Sequence, residues 1–163
     1  MITQEQIKEL LSYDPDTGIF VWLKSVSKRV RVGSVAGYLH NSGYIKIGLA
    51  RKLYSAHRLA FLYMVGYFPL EYTDHINRVK DDNRWSNLRE ATNSQNQCNT
   101  GKPITNTSGF KGVRWDNNAK KWRANIRHMN RQIHLGSFTT PEAAHQAYVA
   151  AAKKLHGDFA NIG

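Results

Sequence analysis

The chain has 163 residues, 41% of them hydrophobic, and no apolar run approaches the about 20 residues that a membrane-spanning helix needs. One cysteine, Cys98, leaves no partner for an intramolecular disulfide and no Cys-x-x-Cys pair for a zinc site of the finger type. Lys and Arg number 23 against 12 Asp and Glu, a formal charge of +11 with an isoelectric point near 9.9. That surplus fits a polyanionic partner, because each neutralised phosphate releases condensed counterions. It is spread along the chain: residues 1–100 carry 13 basic and 9 acidic side chains, residues 101–163 carry 10 and 3. The first residues have neither the basic stretch nor the apolar run of a secretion signal, so a soluble, intracellular protein is expected.

In chain order, Thr3-Gln4-Glu5-Gln6 is a capping box that opens a short helix with Ile7, Leu10 and Leu11 on one face. Residues 14–18 (Asp-Pro-Asp-Thr-Gly) form a turn, and residues 19–22 a strand. Residues 24–31 are a basic, exposed connection, and residues 35–49 a hairpin with His-Asn-Ser-Gly at its bend. A helix is predicted over 56–65, closed by Gly66. Asp74-His75 then follows a short apolar and aromatic run and leads into a polar loop over 76–86. Residues 87–91 are strand-like, and Thr92-Asn93-Ser94-Gln95 is a second capping box, which puts Asn96 in the first turn of a helix.

Strand, polar loop, strand and helix, with polar residues at the joints, suit the hydrolysis of a phosphodiester. That reaction needs a base to activate water and a hard cation to stabilise charge on the phosphate and the leaving oxygen. A histidine such as His75 suits the first task. The oxygens of Asp74 and Asn96 suit Mg²⁺, which keeps several waters and needs few protein ligands. The residues from Tyr54 to Asn96 resemble the phage-type HNH endonucleases, among them intron-encoded and free-standing homing enzymes. The resemblance is carried by Ala56-His57-Arg58-Leu59, Asp74-His75-Ile76-Asn77, Asp82-Asn83-Arg84, Asn87-Leu88-Arg89, Thr92 and Asn96. It implies a ββα-metal (His-Me finger) motif with His75 as general base, Asp74 and Asn96 as metal ligands, and Asn87 holding the histidine-bearing loop. Mg²⁺ or Mn²⁺, and no zinc, is the implied cofactor. His57 and Arg58 are assigned to DNA contact, with seating of its own helix as the alternative for His57; His40, His128, His145 and His156 are given structural roles. In one place the chain departs from the family: Arg78-Val79 stands where a glycine, free to take a positive φ, is usual.

Past a linker at 100–107 the pattern changes. Residues 110–116, 121–128 and 132–138 are predicted as three strands, and a helix capped at Thr139 or Thr140 carries the stripe Ala144, Ala147, Tyr148, Ala151, Leu155 up to Gly157. In the second strand Trp122, Ala124 and Ile126 alternate with Arg123, Asn125 and Arg127, and in the third Ile133 and Leu135 alternate with Gln132 and His134. One face therefore carries Arg, Asn, Gln and His, side chains able to read base edges. Gly109-Phe110-Lys111-Gly112-Val113-Arg114-Trp115, Leu135-Gly136-Ser137-Phe138 and Ala143-Ala144-x-x-Ala147-Tyr148 resemble the Apetala-two/ethylene-response-factor DNA-binding domain. By that resemblance Lys111, Arg114, Asn125, Arg127, Gln132 and His134 fall on DNA-contacting positions.

The expectation is an α+β protein: a nuclease domain with a helix and hairpin extension (1–99), the linker, and a sheet-plus-helix DNA reader (108–163). Its partner is double-stranded DNA and not a membrane, it acts as a monomer or homodimer, and its setting is the cytoplasm of a bacterial host if phage-encoded. The rival reading is a non-catalytic, sequence-specific DNA-binding regulator.

Overall fold

The computed structural model describes residues 2–163. The chain divides into two compact units, the first ending at Ala91 and the second running over Thr92–Gly163.

In the first unit the Thr3 hydroxyl and the Gln6 side chain close the capping box of α1 (Gln4–Leu10). The chain turns directly into β1 (Leu11–Asp14), which pairs antiparallel with β2 (Ile19–Trp22). β3 (Tyr38–Leu39), β4 (Ile45–Leu49) and β5 (Lys52–Ser55) make a second antiparallel sheet. The sequence pattern shows no strand at β5 because its two-residue turn is built from Ala50 and Arg51, both at positive φ (48° and 61°) without glycine or asparagine. α2 (Ala56–Val65) follows and ends on the left-handed Gly66. β6 (Tyr72–His75) and β7 (Leu88–Ala91) then pair as a two-stranded ladder, with a 3-10 turn at Trp85–Asn87 just before β7.

Ile7, Leu11, Phe20, Trp22, Ile47, Leu49, Leu59, Leu62 and Leu88 bury together, so the hairpin of β1 and β2 shares one core with α2 and β7. That packing supports the loop between β6 and β7. The buried Tyr13 hydroxyl donates to the Asn83 carbonyl (2.6 Å), and the Trp85 amide donates to the Pro15 carbonyl (2.9 Å). Gly18, at φ 74°, lies so close that a Cβ would stand 2.3 Å from the Asn83 carbonyl carbon.

In the second unit, α3 (Asn93–Cys98) begins at the capping box of Thr92 and Gln95. β8 (Val113–Asp116), β9 (Lys121–His128) and β10 (Arg131–Phe138) form an antiparallel sheet in the order β10-β9-β8, covered by α4 (Pro141–His156), whose N-cap is Thr140. Val113, Ala124, Ile126, Ala144, Tyr148 and Ala152 make its buried contacts. The alanines let the helix lie close to the sheet, and Gly112 is needed where the Tyr148 ring would meet a Cβ at 2.1 Å. Residues 100–107, expected as a linker, belong by contacts to this unit. Lys111 Nζ donates to the carbonyls of Cys98 (2.9 Å) and Thr100 (2.5 Å), and Asn161 Nδ2 donates to those of Asn99 and Thr100 (both 2.9 Å). Among the described residues no helix is long and apolar enough to cross a membrane.

Candidate active site and nucleic-acid interface

Asp74 and His75 are the last two residues of β6, where the ladder sets Asp74 opposite Arg89 and His75 opposite Leu88. Both are buried. Arg89 donates from Nε to Asp74 Oδ2 (2.9 Å), and its Nη2 lies 2.7 Å from the same oxygen. His75 Nε2 is 3.4 Å from Asn83 Oδ1. Burial, the largest influence on its ring, pulls the His75 pKa below the usual 6.5 against the opposing pull of Asn83 and the nearby aspartates. The imidazole is therefore neutral at pH 7, the form a general base requires.

Asn87 staples the loop. Its Oδ1 accepts from the Asn77 amide (2.9 Å), while its Nδ2 donates to Asn77 Oδ1 (2.9 Å) and to the Asp82 carbonyl (2.8 Å). Asn77 Nδ2 in turn donates to Asp82 Oδ2 (2.6 Å), and Arg84 clasps Asp82 through Nε (2.8 Å) and Nη2 (2.6 Å). The Arg84 hydrogen bond is the main reason the Asp82 carboxyl is held down at about 2. The loop turns at Arg78, whose amide donates to the His75 carbonyl (2.9 Å) with φ at 67°. Arginine thus adopts the left-handed conformation that a glycine would take more easily, at a cost of about 1–2 kcal/mol.

The two residues of this unit expected to touch DNA make contacts within the protein. His57 is 8% exposed. Its ring packs edge-on to His75 (centroids 5.0 Å apart) and against Tyr44 (5.0 Å), which also contacts His75 (5.7 Å). Burial first, then the His75, Lys46 and Arg58 charges, push the His57 pKa down to about 3. Arg58 directs Nη1 to the Glu71 carbonyl (3.1 Å) and Nη2 to the Pro69 carbonyl (2.9 Å), clamping the segment that leads into β6. His57 packs against the His75 ring and Arg58 braces a turn.

In the second unit the strand register sets Arg114 opposite Arg123, Asn125 opposite His134 and Arg127 opposite Gln132, all on the sheet face away from α4. Arg114, Arg127, Gln132 and His134 are exposed. Arg123 pairs with Asp116 (2.8 Å), and His134 Nδ1 lies 3.3 Å from Asn125 Oδ1. Lys111, also expected to contact DNA, places its ammonium on the carbonyls of Cys98 and Thr100. Asn96 lies half-buried on α3, its amide donating to the Thr92 carbonyl.

The first unit thus brings together Asp74, His75 and Asn87, and the second carries Asn96 with the basic sheet face. Sequence reasoning missed Arg89, Asn83 and Tyr44 as site residues. Arg89 and Asn83 stand within the quoted motifs, so a question about their partners could have found them; Tyr44 gives no local signal. Among the described residues no three His, Cys, Asp or Glu side chains are grouped for a metal ion. Asp74 in the first unit and Asn96 in the second each offer a hard oxygen, the donor type that suits Mg²⁺ and Mn²⁺.

The profile of the HNH endonuclease family matches residues 54–98, and that of the AP2 domain matches residues 108–158. Protein 3.8 of Escherichia phage T7 is 33% identical over 91 residues, covering 56% of this chain and 74% of that protein. An uncharacterized HNH endonuclease of Acanthamoeba polyphaga mimivirus is 32% identical over 148 residues, covering 88% of this chain and 74% of the relative. A solved structure of DNA binding and cleavage by the HNH homing endonuclease I-HmuI aligns over 90% of this chain and 84% of its own, with 22% identity and a TM-score of 0.43.

Proposed function

This chain belongs to the HNH endonuclease family and carries an AP2 domain after its nuclease segment, and from that premise we propose that it is a metal-dependent, site-selective DNA endonuclease of the homing type. One observation carries the mechanism: a buried, neutral His75 follows the carboxylate of Asp74 on β6, at the mouth of a loop that Asn87 holds shut.

His75 takes a proton from water. The hydroxide attacks the phosphorus, and the opposite P–O bond breaks as the leaving oxygen departs. A divalent cation held by Asp74 and Asn96, Mg²⁺ or Mn²⁺, would stabilise the charge that grows on the phosphate and the leaving oxygen. Asn87 keeps the loop in register, while Asn83, Tyr44 and His57 fix the plane of the His75 ring. Arg114, Arg127, Gln132 and His134 present donors and acceptors for base edges in a groove, Asn125 lies beside them, and Arg123, paired with Asp116, stands on the same face.

The test is supercoiled plasmid incubated with the full chain, with and without Mg²⁺. One site per chain predicts nicked circles as the first product, formed only with the cation and absent for His75→Ala. DNA binding without cleavage in either cation would leave a regulator in place of the nuclease.

A further inference from the structure

Asp74 does not meet a metal ion as a lone carboxylate. Arg89 faces it directly across the β6–β7 ladder and places two guanidinium nitrogens, at 2.9 and 2.7 Å, on one of its oxygens. The side chains of Asp74 and Arg89 are only 6% and 17% exposed, so solvent screens the pair far less than it would a surface pair. A dication approaching Asp74 therefore meets a carboxylate whose charge is already balanced, with a fixed positive charge at hydrogen-bond range. Asn96, the other ligand read from the motif, is neutral. Lys46 bears on His57 electrostatically and Lys80 lies over the Tyr44 ring (5.1 Å), while Asp81 and Asp82 act on His75 and Asp82 is itself paired with Arg84. Mg²⁺ and its analogues give up water reluctantly and depend on ligand charge to do so. A DNA phosphate brings the missing negative charge, and it can accept a guanidinium fork as well as ligate a cation.

We propose that Arg89 is the counter-cation of Asp74, that it keeps the affinity of the DNA-free protein for divalent metal low, and that metal uptake follows DNA binding. The proposal rests on the reading of Asp74 as the metal carboxylate. It makes Arg89 a positioning residue whose effect is on the order of binding.

The experiment titrates Mn²⁺ into the full chain and follows loss of the free-ion EPR signal, in a His75→Ala background so that DNA stays intact. Uptake by the DNA-free protein should be weaker by about tenfold or more than uptake by its complex with a mixed-sequence duplex at low salt, after subtraction of the duplex alone. Arg89→Gln should strengthen uptake by the DNA-free protein about tenfold, whereas Arg89→Lys, which keeps the charge, should not. Equal uptake with and without DNA overturns the proposal, and that comparison needs no change at Arg89. No gain in an Arg89→Gln protein that is folded by circular dichroism overturns it equally. Asp74→Asn in the complex separates the two readings. If uptake is unchanged, the ligand assignment falls and this proposal with it; if uptake drops while Arg89→Gln gains nothing, only the role of Arg89 falls.

Discussion

At the scale of single residues the site is a set of polar groups withdrawn from water, and pH should act on it in two separable ways. His75→Ala should abolish cleavage while leaving duplex affinity, read by fluorescence anisotropy, nearly unchanged, since a neutral imidazole adds little to phosphate binding. Because burial lowers the His75 pKa, the base stays unprotonated through neutrality. The acid limb of the cleavage rate should therefore fall below pH 6.5, and a midpoint above 7 would remove His75 from that role. His57 affects stability instead. Its folded pKa of about 3 lies below the usual 6.5, so the unfolded chain takes up the proton first. Stability is then level above pH 6.5 and declines as pH falls from 6.5 towards 3. Urea denaturation should show a loss of about 1 kcal/mol from this residue between pH 7.5 and 5.5, and His57→Gln should flatten that slope. The spacing of Asp74, His75 and Asn87 was legible in the sequence. The Asp74–Arg89 pair was not, because fifteen residues separate its members until the strand register is known.

Among the elements, both capping boxes and the Gly66 stop formed as their residues dictate, since those signals are local. β5 escaped notice because a tight turn at Ala50-Arg51 carries no turn residue, and the packing of neighbouring strands enforces it. The support of the loop between β6 and β7 by the turn at 14–18 was equally hidden: the turn was readable, its partner was not. That contact predicts a large effect from a small change. Gly18→Ala adds a Cβ where backbone atoms of Asn83 and Arg84 stand within 2.4 Å, at a positive φ. It should lower stability by about 2–4 kcal/mol, seen as a lower urea midpoint with the same slope. Cleavage should fall as well, because Asn83 shifts away from His75. A wild-type midpoint would mean that the turn does not bear on the loop.

For the whole molecule, composition and charge named the class of partner, and the change of pattern after residue 107 marked a second fold. The dual use of basic side chains could not be read from type alone: Lys111 and Arg58 bind their own backbone, while Arg114 and Arg127 remain exposed on the sheet. Replacing Arg114 or Arg127 with Ala should cost about 1–3 kcal/mol of specific binding and relax base preference at one or two positions. Cleavage at saturating DNA should persist. Site selection from a random duplex library tests this, and an unchanged preference for both variants would shift sequence reading to another surface.

The carbonyls of residues 98–100, held by Lys111 and Asn161, also bear on how such a protein can be taken apart or recombined. A protease in search of an unstructured tether finds hydrogen-bonded chain there instead. A cassette that exchanges one reading domain for another is most naturally cut before Thr92, because a cut at 99 would strand α3 without the donors that fasten its end. Asn96 then travels with the reader. Two proteins that trade recognition domains in this way would also trade a residue of the segment that matches the HNH family, so the exchange would carry part of the nuclease motif along with the reader.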